Sequence, residues 1–197
     1  MMFLLGLTGS IGMGKSTTAE MFAQMGCAVW DADAAVHRLY RQGGAAVAPM
    51  AKAFPDAIVD GAVSRAALKT IIGQDPSALK VIEGIVHPLV LQDRKSFMES
   101  ANADIAVFDI PLLFETGAER EFDAVACVFV AEEIQRQRVL DRGTMTAEQL
   151  DMIIAKQLPA REKADRADFV IVTDTLEHAR AQVEDVVKQI RKDMDDA

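Results

Sequence analysis

Five short apolar runs recur along the chain, at Phe3 to Leu7, Ala28 to Trp30, Ile105 to Phe108, Ala124 to Val130 and Phe169 to Val172. Stretches of helical character separate them, the strand and helix alternation of a parallel α/β sheet. Val125-Ala126-Cys127-Val128-Phe129-Val130 is apolar at both alternating positions, as suits a strand covered by helices on both faces. The sheet is therefore expected to be central and buried. Helices are predicted over Lys15 to Met25 and Ala34 to Arg41, each following a strand. From Ala34 to Asp104 no strand pattern stands out, but helix signals do. Asp60-Gly61 marks a turn, Ser64 can cap a helix from Arg65 to Ile72, and Asp75-Pro76 supplies a cap and first-turn proline before Ser77 to Val86. This interval is too long for a plain crossover and predicts a helical lobe inserted at the sheet's edge. In the tail, Leu176, Ala179, Val183, Val186, Val187 and Ile190 share one helical stripe opposite Arg180, Glu184, Asp185, Lys188 and Arg191, which predicts a packing helix.

Charge and composition narrow the function classes. The 197 residues carry a net charge of −9 with no block of lysine or arginine, so neither a nucleic-acid surface nor an anionic membrane is indicated as partner. Cations for an anion site must be gathered locally. Cys27 and Cys127 lie in apolar runs without a spaced framework and read as buried free thiols of a reducing compartment. Met1-Met2-Phe3-Leu4-Leu5 lacks a positively charged lead and reads as a core strand, not a cleaved signal. No apolar run reaches the roughly 18 residues of a membrane span. A cytoplasmic protein is expected, a monomer or weak homo-oligomer. His37, His87 and His178 are far apart in sequence, so no zinc-like arrangement exists.

The candidate chemistry begins directly after the first run. Gly9-Ser10-Ile11-Gly12-Met13-Gly14-Lys15-Ser16 matches the phosphate-binding pattern G-x-x-x-x-G-K-[ST], between a strand and a helix as that motif requires. Glycines let the backbone wrap an anion with its N–H groups turned inward, and the helix beginning at Lys15 adds its dipole. Lys15 is expected at the β- and γ-phosphates of ATP and Ser16 on Mg²⁺, with Gly9 to Thr17 forming the nucleotide cradle. After the second run, Asp31 and Asp33 fall near the carboxyl edge of the sheet, where ligands bind in such folds. One of the two, Asp33 by position, caps the helix from Ala34 to Arg41, or Asp33 accepts a hydroxyl proton during phosphoryl transfer. His37 lies one turn further on.

Asp109 ends the third run, either near Mg²⁺ or bonding the turn into Pro111. Glu115 is a supporting partner or a surface carboxylate, and Leu112-Leu113-Phe114 is core or substrate wall. Gln135, Arg138 and Arg142 recur at i, i+3 and i+7. They form either a solvated stripe or, for Arg138 and Arg142, a lid that closes guanidinium groups over phosphates, with Gly143 as hinge. Lys163 and Arg166 extend that cationic rim or belong to the plain surface.

These residues together resemble the dephospho-coenzyme A kinase family. The matching segments are Leu7 to Ser16, Asp31-Ala32-Asp33 with His37, His87-Pro88 and Asp109-Ile110-Pro111-Leu112-Leu113-Phe114-Glu115. They continue with Gln135-x-x-Arg138, Arg142, Gln157-Leu158-Pro159, Lys163 and Ala167-Asp168. The resemblance implies a three-layer P-loop NTPase fold of class α/β with a five-stranded parallel sheet. It also implies a nucleotide-binding core of residues 1–33 and 104–197, a helical lid at about 132–165, and a helical substrate lobe of residues 34–103. The implied activity is ATP-dependent phosphorylation of the ribose 3′-hydroxyl of dephospho-coenzyme A. By matched position, Asp33 resembles the general base, Lys15 the phosphate lysine and Arg142 the lid arginine. Thr8, Asp33, His37, His87, Leu112 and Glu115 face substrate, and Ser16 and Asp109 hold Mg²⁺. The chain departs from the family pattern in two places. It reads His87-Pro88-Leu89-Val90-Leu91, with the next arginine at Arg94, and it has Thr173-Asp174-Thr175 after the last strand. The alternative is a P-loop kinase of another small acceptor, such as a nucleoside monophosphate. A GTPase switch is excluded because the only asparagine, Asn102, precedes Ala103, so no Asn-Lys-x-Asp pattern exists.

Overall fold

The structure, a computed structural model, describes residues 2–196. Its elements run β1 (Phe3–Thr8), α1 (Lys15–Gln24), β2 (Ala28–Asp31), α2 (Ala32–Tyr40), α3 (Val47–Ala53), β3 (Ile58–Val59) and β4 (Ala62–Val63). They continue with α4 (Arg65–Gln74), α5 (Ala78–Ser100), β5 (Ile105–Asp109), β6 (Ala124–Phe129) and α6 (Glu132–Asp141). The last are α7 (Ala147–Ile154), α8 (Ala160–Arg166), β7 (Phe169–Val172) and α9 (Leu176–Asp195). The chain divides into two compact units, Met1–Trp30 with Ala101–Ala197, and Asp31–Ser100.

The first unit is built on a sheet of order β2-β5-β1-β6-β7. β1 pairs in parallel with β5, Leu5 opposite Val107 and Leu7 opposite Asp109, and with β6, Leu7 opposite Ala126. Its carboxyl end therefore opens in the middle of the sheet, where strand order places the ligand crevice of an α/β fold. On one face, Phe22 of α1 and Val183, Val187 and Ile190 of α9 close over Leu5, Leu7, Val107 and Ile171. Burying a side chain such as Phe22 contributes roughly 1.5–3 kcal/mol relative to leaving it in water. Elsewhere Leu113, Phe114 and Val125 gather with Phe122 and Leu158. Phe108 packs between Trp30 and Phe122, with ring centroids 6.0 and 5.3 Å away. Asp168 accepts from the backbone N–H of Val125 at 2.8 Å, pinning the start of β6 to the segment before β7.

The second unit has its own core of Leu39, Met50, Leu68, Ile82 and Val86. Arg38 of α2 forks onto Asp93 of α5, Nη2 to Oδ1 at 2.5 Å and Nε to Oδ2 at 3.1 Å.

Three local expectations need correction, and one open reading of the α2 cap is decided. The interval expected to lack strands contains the antiparallel pair β3 and β4, too short for period-2 patterning to register. Asp60 (φ +49°) and Gly61 (φ +75°) close it, both left-handed as a tight hairpin turn requires. The helix expected to stop at Val86 runs through Pro88 to Ser100. Packing of Ile82 and Val86, joined by Leu89 and Val90, outweighs the roughly 3 kcal/mol that an internal proline costs. α2 is capped by Asp31, whose Oδ1 accepts from the Ala34 N–H at 2.7 Å, so Asp33 does not hold the cap. Leu176 is 64% exposed, because the first residue of α9 precedes the turns that pack. Among the described residues no helix is long and apolar enough to cross a membrane.

Candidate active site

β1 ends at Thr8, which is buried and donates from Oγ1 to the Pro111 carbonyl at 3.2 Å. The glycine-rich loop follows. Gly12 (φ +76°) and Gly14 (φ +86°) take the left-handed conformation that side chains disfavour. Ser10 and Met13 are buried, Ile11 is half-buried, and Ser16 and Thr17 are exposed in the first turn of α1. The Thr18 hydroxyl donates to the Gly14 carbonyl at 3.0 Å.

Two outward carbonyls of the loop are held from elsewhere. The Gln135 amide on α6 donates from Nε2 to the Ile11 carbonyl at 2.7 Å, and the Thr173 hydroxyl just beyond β7 donates to the Met13 carbonyl at 2.7 Å. Arg138 in turn donates from Nη2 to the Thr173 carbonyl at 2.6 Å. The solvated alternative for Gln135 therefore fails: this side chain is buried. Arg138 is tied back to the end of β7, and both it and Arg142 line a 260 Å³ cavity with Gly12, Gly14, Thr173 and Leu176.

Lys15 Nζ donates to Oδ1 of Asp109, the last residue of β5 and 1% exposed. The cation of the motif and the strand-end carboxylate thus meet at one end of the sheet. Oxygen donors at Ser16 and Asp109 suit a hard cation such as Mg²⁺. Among the described residues no group of three His, Cys, Asp or Glu could hold a metal by protein ligands alone.

The segment after Asp109 is fastened from below. Lys163 of α8 is wholly buried, 2.7 Å from Glu115 Oε1, and donates to the Pro111 carbonyl at 3.3 Å. Glu115 Oε1 also accepts the Leu158 N–H at 3.0 Å. Burial pushes the Glu115 carboxyl up, but Lys163 and the Leu158 N–H outweigh that and hold it below its ordinary value. Lys163 is thus neither rim nor plain surface. Arg166 pairs with Glu119 at 2.8 Å and lies over the Phe114 ring. Leu113 and Phe114 are core, while Leu112 is exposed.

In the second unit, Asp33 and His37 are exposed on α2, one turn apart. His37 borders a 210 Å³ cleft with Tyr40, Arg41 and Arg65. His87 is exposed on α5, just before Pro88. Within the first unit, then, the fold gathers the loop, Lys15, Asp109, Arg138 and Arg142, whereas Asp33, His37 and His87 belong to the second. Gln135 and Lys163 were visible in sequence only as motif positions, and Thr173 only as the residue where a strand ends.

Comparison with known proteins agrees with this geometry. Residues 3–178 match the family described as CoaE, dephospho-CoA kinase. The chain is 70% identical to the dephospho-CoA kinase of Ruegeria pomeroyi over 191 residues, 97% of each chain. A crystal structure of a Thermus thermophilus protein superposes with TM-score 0.85 at 30% identity, covering 95% of this chain and 97% of that one. The dephospho-CoA kinase of Campylobacter jejuni shares the fold, with TM-score 0.70 at 24% identity over 98% of both chains.

Proposed function

Because this chain belongs to the dephospho-CoA kinase family, we propose that it transfers the γ-phosphoryl group of ATP to the ribose 3′-hydroxyl of dephospho-coenzyme A. The products are ADP and coenzyme A. The observation that carries this reading is the braced loop with Lys15 and Asp109 at its mouth, in a chain that matches the family over most of its length. Phosphoryl transfer asks a protein mainly for positioning and charge compensation, and the first unit offers both. The loop N–H groups and the α1 N-terminus receive the phosphates, and Lys15 exchanges Asp109 for the β- and γ-phosphate oxygens. Arg138 and Arg142 border the cavity in which the rest of the nucleotide lies, and Arg142 supplies charge toward the transferred group. Ser16 and Asp109 would hold Mg²⁺, which would supply charge neutralisation at the phosphates.

Asp33 is the general base in this reading. Its carboxylate is released from capping because Asp31 performs that task. It takes the proton of the 3′-hydroxyl as that oxygen bonds to the γ-phosphorus and the bond to the β-γ bridging oxygen breaks. His37, His87, Thr8, Leu112 and Glu115 form or support the acceptor side. The acceptor screen tests the proposal: purified protein with Mg-ATP is offered dephospho-coenzyme A, a nucleoside monophosphate and shikimate. Phosphate should appear on the 3′-oxygen of dephospho-coenzyme A. Turnover of another acceptor with dephospho-coenzyme A ignored overturns the assignment.

A further inference from the structure

We propose that Gln135 and Thr173 are positioning residues that aim the phosphate loop, acting on its backbone and not on the nucleotide. This inference rests on the reading of Gly9 to Ser16 as the ATP site. A trans peptide is planar, so the N–H of a residue points opposite to the carbonyl of the residue before it, and the described chain contains no cis peptide. Gln135 Nε2 holds the Ile11 carbonyl and Thr173 Oγ1 holds the Met13 carbonyl, each at 2.7 Å. The N–H groups of Gly12 and Gly14 are thereby turned the other way, as phosphate donors must be. Glycines at these two positions have the widest choice of backbone conformations, so the loop's own sequence does not hold the peptides in this orientation. The two donors do, and both are buried, where a lost hydrogen bond is not replaced by water.

Thr173 also ties the loop to the nucleotide cavity. Its carbonyl accepts from Arg138 at 2.6 Å, and Thr173, Arg138 and Gly14 all line that cavity.

The test separates phosphate recognition from general destabilisation. Dissociation constants for Mg-ADP and for adenosine are measured by calorimetry on wild type, Gln135→Leu, Thr173→Val and Thr173→Ser, alongside kcat and KM for ATP. The preference for Mg-ADP over adenosine should fall about tenfold or more in Gln135→Leu and Thr173→Val, as expected when donors are misplaced by a fraction of an ångström. Adenosine affinity should stay within about threefold of wild type in Gln135→Leu, whose side chain does not line the nucleotide cavity. Thr173→Ser, which keeps the hydroxyl, should restore the preference. An unchanged preference in Gln135→Leu and Thr173→Val overturns the inference while leaving the ATP reading intact, as does equal behaviour of Thr173→Val and Thr173→Ser. Failure of wild type to bind Mg-ADP overturns both.

Discussion

The ammonium of Lys163, with no exposed surface, sits 2.7 Å from Oε1 of Glu115, and through it α8 is fastened to the segment that follows Asp109. Removing one partner of a buried pair leaves the other charge uncompensated. Lys163→Met should therefore lower unfolding free energy by about 3 kcal/mol at neutral pH, read from urea melts. Glu115→Gln in the same chain should recover part of the loss.

The same pair sets a pH dependence. The Glu115 carboxyl lies below its ordinary value of 4.5 in the folded protein, held there against burial by Lys163 and the Leu158 N–H. A depressed carboxyl contributes stability that is full above the unfolded value and is lost as pH falls through the lower folded one. The stability gap between wild type and Glu115→Gln should thus be constant from neutral pH to near 5 and shrink below about 4.5. Urea melts at stepped pH check this, and a gap that widens in acid would contradict it.

Asp31 and Asp33, two positions apart, should separate cleanly. Asp31→Ala removes the α2 cap and should cost about 1 kcal/mol of stability. Asp33→Asn should leave the melting curve nearly unmoved but cut kcat by roughly 10²- to 10⁴-fold, the usual worth of a general base. ATP affinity should barely change. Equal kcat losses in the two variants would remove Asp33 from its role.

Lys15 couples the loop to Asp109, so Lys15→Ala has two expected effects. Mg-ATP turnover should fall by about 10²-fold or more for loss of a cation at the phosphates. Stability should also drop, because Asp109 is 1% exposed and loses the Lys15 cation. Adding Asp109→Asn should restore stability without restoring turnover.

Both cysteines are buried, and burial pushes their thiols up to about 11, with Arg191 partly opposing this at Cys27 and Lys163 at Cys127. Since the thiolate is the reactive form, a disulfide reagent at pH 8 should label neither thiol in the folded protein and both in urea. Prompt labelling in the folded state would refute the buried environment.

Local pattern made much of this protein legible in the sequence. The five sheet strands lie within about a residue of where apolar runs predict them, because a buried parallel strand needs uninterrupted apolar side chains. The glycine-rich loop between β1 and α1 was equally readable, since its glycines, lysine and serine lie within one contiguous segment. The Ser64 cap holds as expected at 3.2 Å, for a cap also acts over three residues.

What the sequence left open was decided by contacts between distant segments. Asp31 and Asp33 are chemically the same cap candidate, and only the path from β2 into α2 assigns the cap to Asp31. Gln135 reaches Ile11 across 124 positions and Thr173 reaches Met13 across 160, so no local period records either bond. Lys163 looks like any surface lysine until α8 turns it inward against Glu115. A short-range spacing determined which residues make up the glycine-rich turn between β1 and α1. Their orientation was decided by tertiary structure, because a glycine loop has too little conformational preference to orient itself and must be held by side chains that the fold brings from elsewhere.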